Sequence, residues 1–326
     1  MLVIVFAASI GSAEIPFTKT AGILISKLPF IDITPSWDST AEIIVFDIRL
    51  PRVILAGLVG AALALAGATY QGLFRNPLAD PYLIGVAQGA ALGAVIGFMI
   101  PISGVGIGIS LVPILAFVGA LLSVTIVYIL ARVGRTVPVT TLILAGVALG
   151  ALLGAIVAYL AITSGQLLHG IMFWLSGSFS LSQWSEVEIV LPVIAVGTIV
   201  ILLFSRMLNI MQLDEEQAQQ LGLNVERLKI SLLAAATMIT AAAVSFVGII
   251  GFVGIITPHT VRLIWGPDYR FLLPLSLISG AIFLILADVA ARTIVAPSEI
   301  PIGVITALCG APFFLYLLRR RAKMLF

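Results

Sequence analysis

The chain has 326 residues, of which 61% are hydrophobic and 10% are charged; its formal net charge is +2 and its mean hydropathy is +1.21. A soluble protein needs roughly a quarter of its residues charged to cover its surface, so this composition excludes a soluble globular enzyme. The single cysteine, Cys309, excludes an intramolecular disulfide framework and a thiolate metal site. We therefore expect a chain that is solvated by lipid and binds no metal.

Ten apolar segments follow one another along the chain, separated by polar or Pro/Gly-rich breaks. They lie at residues 2–17, 51–74, 82–101, 111–132, 140–162, 186–206, 230–251, 256–265, 271–292 and 303–318. About 20 apolar residues in a helix cross a hydrocarbon core of about 30 Å, and only internally hydrogen-bonded helices carry such runs through lipid. The sequence predicts an all-α polytopic membrane protein of about ten transmembrane helices, the first of them short, in a single domain over 1–326.

The distribution of lysine and arginine predicts the orientation of these helices. If both termini are cytoplasmic, twelve basic residues fall on the inner side and five on the outer side. This excess is the one expected for cytoplasmic loops. The inner set is Arg75, Arg132, Arg135, Arg206, Arg227, Lys229, Arg262, Arg270, Arg319, Arg320, Arg321 and Lys323, and the outer set is Lys19, Lys27, Arg49, Arg52 and Arg292.

Glycines recur at four-residue spacing in two of the apolar segments. This spacing predicts helix faces on which the backbones of neighbouring helices approach closely. The first set is Gly85, Gly89, Gly93 and Gly97, and the second is Gly146, Gly150 and Gly154.

The sequence also limits the energy source of a transporter. It has no G-x-x-x-x-G-K-[ST] phosphate loop, so an ATP-driven transporter would need its ATPase on another chain. An ion-coupled carrier is expected to bury carboxylates or histidines near the bilayer midplane, and the apolar segments are nearly bare of them. Of the exceptions, Asp288 predicts an i,i+4 ion pair with Arg292, and His259 follows Pro258 at an expected helix break.

The longest predicted inner loop contains L-D-E-E-Q-A-Q-Q-L-G-L-N-V-E-R-L-K at residues 213–229. Its acidic start suits a helix N-terminus, Gly222 suits a helix C-terminus, and the leucines offer an apolar patch. We expect two short helices lying in a plane. They would either contact a cytoplasmic partner or rest on the membrane domain itself.

Seven motifs in fixed order carry a resemblance to a known family. They are R-L-P-R at 49–52, G-A-A-L-A-L-A-G-A-T-Y-Q at 60–71, R-N-P-L-A-D-P-Y-L-I-G at 75–85, L-I-L-A-G-V-A-L-G at 142–150, D-E-E-Q-A-Q-Q-L-G at 214–222, F-V-G-I-I-T-P-H-T-V-R at 252–262 and E-I-P-I-G-V-I-T-A-L-C-G-A-P-F-F at 299–314. From about residue 49 to 320 the chain resembles the iron-siderophore, haem and cobalamin permease family of ABC importers.

The resemblance implies the cobalamin-importer-like permease fold of type II ABC importers, in the inner membrane of a prokaryote. It implies a homodimer with the substrate path between its subunits, two ATPase subunits that carry ATP and Mg, and an extracytoplasmic substrate-binding protein. The chain itself would be a transport subunit that is not an enzyme, holds no cofactor and binds no nucleic acid. The cargo would be a metal chelate, with ferric siderophores the first expectation and haem and cobalamin the others. The alternative function is an ion-coupled secondary transporter.

The resemblance also implies roles for individual residues. Binding-protein docking falls to Arg49, Arg52 and Arg292, which without the resemblance would be interfacial anchors. A cytoplasmic gate falls to Val139, Thr140 and Thr141, where either threonine would also suit a helix N-cap. ATPase coupling falls to Asp214, Glu215, Glu216, Ala218, Leu221 and Gly222. Structural motif positions are Asn76, Pro77, Pro258, His259, Glu299, Pro301 and Gly303.

Overall fold

The structure is a computed structural model that describes residues 1–11, 13–27, 37–101, 110–134 and 136–322. Arg135 and Lys323, which entered the orientation count, lie outside the described residues. The helices in chain order are α1 (Leu2–Ser9), α2 (Phe17–Ser26), α3 (Ser39–Ile43), α4 (Leu50–Leu73), α5 (Val86–Met99), α6 (Leu111–Ala131), α7 (Val139–Thr163), α8 (Leu168–Leu175), α9 (Trp184–Leu203), α10 (Ser205–Ile210), α11 (Glu215–Gln220), α12 (Val225–Val247), α13 (Val253–Trp265), α14 (Tyr269–Thr293) and α15 (Ile302–Ala322).

Each of the ten predicted apolar segments overlaps at least one of these helices, which confirms an all-α polytopic membrane protein. In the described residues, six helical spans are long and apolar enough to cross a membrane, and α5 and most of α15 form shorter apolar helices. The helix α1 has 8 residues and rises about 12 Å, less than half of a hydrocarbon core.

The first long span begins earlier than the sequence predicts. It runs from Ser39 to Leu73 because α3, a π-helical turn at Ile44–Arg49 and α4 follow one another without a break. The charged residues Asp47 and Arg49 lie before the predicted segment at 51–74, but Arg49 is buried. Its guanidinium bonds to backbone carbonyls, so a helix can accommodate it there.

The helix α4 is the centre of the bundle, packed against α12, α13 and α14. In its span, 83% of the most apolar window is buried. Its crossing with α14 depends on two glycines, since a Cβ on Gly60 would lie 2.3 Å from the carbonyl oxygen of Gly280. The axial position of α14 against α4 therefore fixes which side chains meet at their ends.

The glycine faces predicted from spacing are confirmed for the crossing of α5 and α6. A Cβ on Gly89 would lie 2.4 Å from the carbonyl oxygen of Gly119, and one on Gly93 would lie 2.0 Å from that of Leu115. Such close backbone approach is the purpose of small residues at helix crossings in membranes.

The second glycine set behaves differently. A Cβ on Gly146 would lie 2.2 Å from the carbonyl oxygen of Leu83, so this glycine fits the prediction. For Gly150 and Gly154 the prediction of close packing is wrong within the described chain. The nearest atoms there belong to the Gln88 side chain, at 3.6 and 3.9 Å.

A helix break lies between α12 and α13, but not where the sequence predicts it. The non-helical residues are 248–252, and Gly248 and Phe252 both have positive φ angles, +77° and +69°. Pro258 instead lies inside α13. A proline lacks the N–H that would bond to the carbonyl four residues earlier. Here the Gln71 side chain donates to that carbonyl, of Gly254, at 3.1 Å, so the helix continues.

The long helices run in alternating directions, so their connections gather at two ends of the bundle. At one end the start of α4 meets the end of α14, where Arg52 pairs with Asp288. We call it the arginine end. At the other, the connection between α10 and α12 meets the end of α4, where Arg75 pairs with Asp214. We call it the loop end.

Candidate functional sites at the two ends of the bundle

At the arginine end, a single guanidinium joins three parts of the chain. Arg52 at the start of α4 donates from Nε and Nη2 to Asp288 of α14, with distances of 2.9 to 3.2 Å. Nη1 and Nη2 donate to the Glu299 carboxylate at 2.7 and 3.1 Å. Glu299 also accepts a hydrogen bond of 2.6 Å from the Ser180 hydroxyl. Through Arg52, the two acids thus link the start of α4, the end of α14, the connection after α8 and the connection before α15.

The other two arginines of this end hold the N-terminal segment. Arg292 donates to the carbonyl oxygens of Ala7 and Ile10 at 2.6 and 2.8 Å. Arg49 donates to the carbonyl oxygens of Ala8, Ser9 and Ala13. The last carbonyls of a helix have no donors within the helix and carry partial negative charge, so cations suit this position. Both arginines therefore cap the C-terminus of α1.

The predicted ion pair of Asp288 with Arg292 is confirmed, with Nε 3.4 Å from the carboxylate. Arg49 and Arg292 are buried at 5% and 9% exposure, and the Arg52 side chain is 12% exposed. Three cations and two acids leave the cluster a net charge of +1. The docking role of these arginines stays a prediction. All three guanidiniums already have hydrogen-bond partners within the chain.

Glu299 is the most accessible acid of this cluster, with 32% of its side chain exposed against 2% for Asp288. Burial raises the pKa of Glu299, but the hydrogen bonds from Arg52 and Ser180 outweigh it and hold that pKa below its usual value. The carboxylate is therefore ionised at neutral pH. The ionised carboxylate stabilises the fold fully at a pH above the ordinary pKa of a glutamate. This stabilisation is lost as the pH falls through the lowered pKa of Glu299 in the folded protein.

The predicted gate residues begin α7 at the loop end. Val139 is half-buried and Thr140 is exposed. The Thr141 hydroxyl donates to the carbonyl oxygens of Ala131 and Pro138, each at 2.9 Å. Pro138 holds the N-cap position, so neither threonine caps the helix. Only 17% of the most apolar window of α7 is buried, the lowest fraction among the six spans of the described chain.

The predicted coupling segment contains one short helix, α11, where two were expected. Asp214 precedes it, Glu215 and Glu216 form its first turn, and Gly222 ends it with φ +83°. The N–H of Leu223 bonds to the carbonyl of Ala218, and that of Gly222 to Gln219, as in a Schellman motif. Residues 225–229 are the first turns of α12, and the second short helix, α10, lies before the segment.

Contacts on several sides hold α11 against the bundle. Ala218 is fully buried, whereas Leu221 is 65% exposed. Arg75, after α4, donates to the Leu213 carbonyl and pairs with Asp214 at 3.1 Å. Lys229 of α12 lies 2.8 Å from Glu215. The segment is therefore attached to the bundle by these contacts and carries an exposed leucine.

A second set of polar contacts joins α10 to α14 at the loop end. The Asn209 side chain donates to Asp268 at 2.7 Å and accepts from the N–H of Tyr269 at 2.9 Å. Asp268 caps α14, and the N–H of Arg270 and the Asn209 amide lower its pKa. Movement of α10 would therefore be transmitted directly to the start of α14.

Two of the predicted structural motif residues, Asn76 and His259, make contacts through their side chains. The Asn76 side chain accepts from the N–H of Leu78 at 3.0 Å, across Pro77. His259 is buried, and its ring is nearly perpendicular to that of Phe313 of α15, with 6.1 Å between the centroids.

The start of α15 is held by the chain after α8. The N–H groups of Ile302 and Gly303 donate to the carbonyls of Gly177 and Ser176, each at 3.0 Å. Pro301 precedes them, and a Cβ on Gly303 would lie 2.4 Å from the Ser176 oxygen. The seam between α8 and α15 thus requires glycine at position 303.

Sequence reasoning missed a polar relay inside the bundle. Gln71 of α4, 1% exposed, donates to the Gly254 carbonyl and accepts from Arg262 at 3.0 Å. A buried glutamine next to an arginine on another apolar segment was the available signal. The relay joins α4 to α13 beside Pro258.

An open cavity of about 490 Å³ lies beside the helix break. The break contributes Ile249, Gly251 and Phe252, α15 contributes residues such as Val304 and Leu308, and α8 contributes Leu175. Tyr82 holds the break in place, since its hydroxyl lies 3.0 Å from the carbonyl oxygen of Ile250 and 3.2 Å from its nitrogen. The cavity wall is mainly apolar and includes non-helical backbone.

Comparisons with known proteins agree on one family. The sequence profile of the FecCD transport family matches residues 1–320. The chain is 46% identical over 323 residues to the cobalamin import system permease protein BtuC of Halobacterium salinarum, covering 97% of this chain and 86% of that protein. It is 43% identical over 286 residues to the hemin transport system permease protein HmuU of Yersinia pestis, covering 85% and 83%.

A solved structure gives the same result. A metal-chelate type ABC transporter in an inward-facing conformation superposes with a TM-score of 0.84 at 30% sequence identity. The match covers 98% of this chain and 96% of the other.

Proposed function

Because the chain belongs to the FecCD transport family, we propose that two copies of it form the membrane path of an ATP-driven importer for a metal chelate. Separate ATPase subunits act on the loop end, and an extracytoplasmic binding protein delivers cargo at the arginine end. The observation that carries the proposal is the match of the family profile over residues 1–320, together with the relatives that share most of its length.

The loop end has the properties of a coupling surface. The ion pairs of Arg75 and Lys229 attach α11 to the end of α4 and to α12. A displacement of α11 by a partner bound at the exposed Leu221 would therefore also displace those helices. Nucleotide-driven motion of the ATPases then alternates access of the path between the two sides of the membrane. The excess of basic residues at this end supports a cytoplasmic location for it and for the C-terminal helix end, in a prokaryotic inner membrane.

The exposed face of α7 suits the contact between two copies. It carries Leu144, Val147 and Leu152, and it begins at Thr140. Packing of this face across a two-fold axis would place the threonines of both copies together at the loop end, where small hydroxyls close a path without a charged barrier.

The cargo is a metal chelate of the size and chemistry that the relatives carry. Their names give cobalamin for one and hemin for another. The cavity beside the break has mainly apolar walls, which suit a low-affinity passage for a large molecule that must also leave. Selection among chelates falls to the binding protein.

The test is the ATPase activity of the assembled complex in lipid. The chain is purified with its ATPase and with candidate binding proteins, which are loaded with cobalamin, haemin or a ferric siderophore. The proposal expects one loaded binding protein to stimulate hydrolysis, and expects hydrolysis to fall when Leu221 is changed to aspartate. Chelate uptake that needs no ATPase and follows a proton or sodium gradient would contradict the proposal and favour the ion-coupled alternative.

A further inference from the structure

Glu299 occupies the accessible edge of the Arg52 guanidinium. Two parallel hydrogen bonds join them, Nη1 to Oε1 at 2.7 Å and Nη2 to Oε2 at 3.1 Å. This bidentate arrangement is the geometry in which arginine binds a carboxylate best. The adjacent edge, formed by Nε and Nη2, belongs to Asp288, which is buried. An incoming carboxylate can therefore replace Glu299 on Arg52 without disturbing the buried pair.

Glu299 also closes a seam between two connections of the arginine end. Its bond with Ser180 joins the chain before α15 to the chain after α8. Directly beside it, the N–H groups of Ile302 and Gly303 bond to carbonyls that follow α8. Both α8 and α15 line the cavity at the helix break. The seam thus connects the surface of the arginine end with the cavity wall.

We propose that Glu299 is an internal substitute for a docking carboxylate. An acidic side chain of the extracytoplasmic binding protein takes its place on Arg52, and the tie of Glu299 to Ser180 opens. This inference rests on the proposed function, because it requires a binding protein that docks at this end.

The exchange has a low net cost, because one arginine–carboxylate pair replaces another and the displaced Glu299 moves toward water. Before docking, the cluster presents a net charge of +1 and no free guanidinium, so acidic proteins in general gain little from this surface. After docking, the chain before α15 and the chain after α8 lose the side-chain bond between Glu299 and Ser180. Docking thereby affects the cavity wall, because the backbone hydrogen bonds of Ile302 and Gly303 connect this seam to α8 and α15, which line the cavity.

The inference predicts the opposite sign from a purely structural role. If Glu299 only stabilised the fold, its loss would weaken binding of the partner. If it competes with the partner, its loss strengthens binding, because Arg52 keeps Asp288 and gains an unoccupied edge.

The experiment compares E299Q with wild type in the full complex in nanodiscs. The measurements are the Kd of the loaded binding protein and the ATPase activity with and without it. We expect E299Q to lower the Kd about fivefold, the factor for exchanging a charge-assisted hydrogen bond for a neutral one, and to raise ATPase activity without the binding protein. The matched control is E42Q, an acid of the same end that pairs with Lys27, and it should leave the Kd unchanged.

A second variant keeps the inference testable if E299Q does not assemble. S180A removes the 2.6 Å bond to Glu299 and leaves both ion pairs of Arg52 in place. It should lower the Kd in the same direction by a smaller factor. A wild-type complex that responds to its binding protein, with E299Q and S180A binding no more tightly than E42Q, would overturn the inference and leave the proposed function standing. A wild-type complex that no binding protein stimulates would overturn both.

Discussion

Neutralising Asp288 should destabilise the protein more than any other carboxylate substitution at the arginine end. Its side chain is 2% exposed and accepts from Arg52 on one side and faces Arg292 on the other. Asp288→Asn keeps the volume but raises the charge of the cluster from +1 to +2. Removing one partner of a buried ion pair costs about 3–5 kcal/mol. Because asparagine retains one acceptor oxygen, we expect about 3 kcal/mol.

The assay is thermal unfolding of the purified protein in detergent, monitored by the fraction of the chain that stays soluble at each temperature. An unfolding entropy of about 2.1 cal/mol/K per residue gives about 0.7 kcal/mol/K for 326 residues, so a loss of about 3 kcal/mol corresponds to a fall of the midpoint of about 4 °C. The exposed Asp47, at the same end, supplies the control, and Asp47→Asn should change the free energy of unfolding by no more than about 0.5 kcal/mol.

A double-mutant cycle tests the reasoning itself. R52M combined with D288N should be less destabilised than the sum of the single variants, by at least about 1 kcal/mol, because the two charges depend on each other. Equal midpoints for D288N and D47N, or strictly additive effects of R52M and D288N, would refute a buried ion pair that stabilises this end.

Three further predictions follow from contacts elsewhere. Gly93→Ala should lower the thermal midpoint because its Cβ would meet the backbone of α6, whereas Gly154→Ala, whose Cβ would contact only the Gln88 side chain at 3.9 Å, should leave it unchanged or raise it by helix propensity. Equal midpoints would contradict the packing. Gln71→Leu should destabilise by about 1–3 kcal/mol, since it leaves a buried carbonyl and a guanidinium without their partner, and a midpoint equal to wild type would dismiss the relay. Leu221→Asp should abolish co-purification of the ATPase without changing the thermal midpoint. The control is Leu181→Asp at the arginine end, where the leucine is 84% exposed, and this variant should retain the ATPase. Retention of the ATPase by both variants would exclude α11 as its contact site.

The helices could be predicted from the sequence because hydropathy is a local sum over about 20 residues. The beginning of the first span could not, since Arg49 looks like a loop residue to any local pattern. Its partners are carbonyls 36 to 41 residues earlier, and only the folded chain brings them together. The helix break was misplaced for a similar reason. Pro258 is a strong local signal, but Gln71 satisfies the carbonyl that it frees.

The candidate site was predicted in its residues but not in its partners. The motifs located Arg52 and Glu299 separately, as a docking residue and a structural one, and the two residues are 247 positions apart in the chain. Their pairing depends on the crossing of α4 with α14 at Gly60 and Gly280, which sets the ends of both helices in register. Charge and spacing along the chain contain no information on that register.

The most direct test of the account is chelate uptake by proteoliposomes that contain this chain with or without its ATPase. With the ATPase and ATP present on the loop-end side, and the loaded binding protein on the other, we expect accumulation of one metal chelate inside the compartment that holds the ATP. We expect no accumulation when the ATPase or ATP is omitted. Uptake at the same rate without the ATPase, driven by an ion gradient, would contradict it.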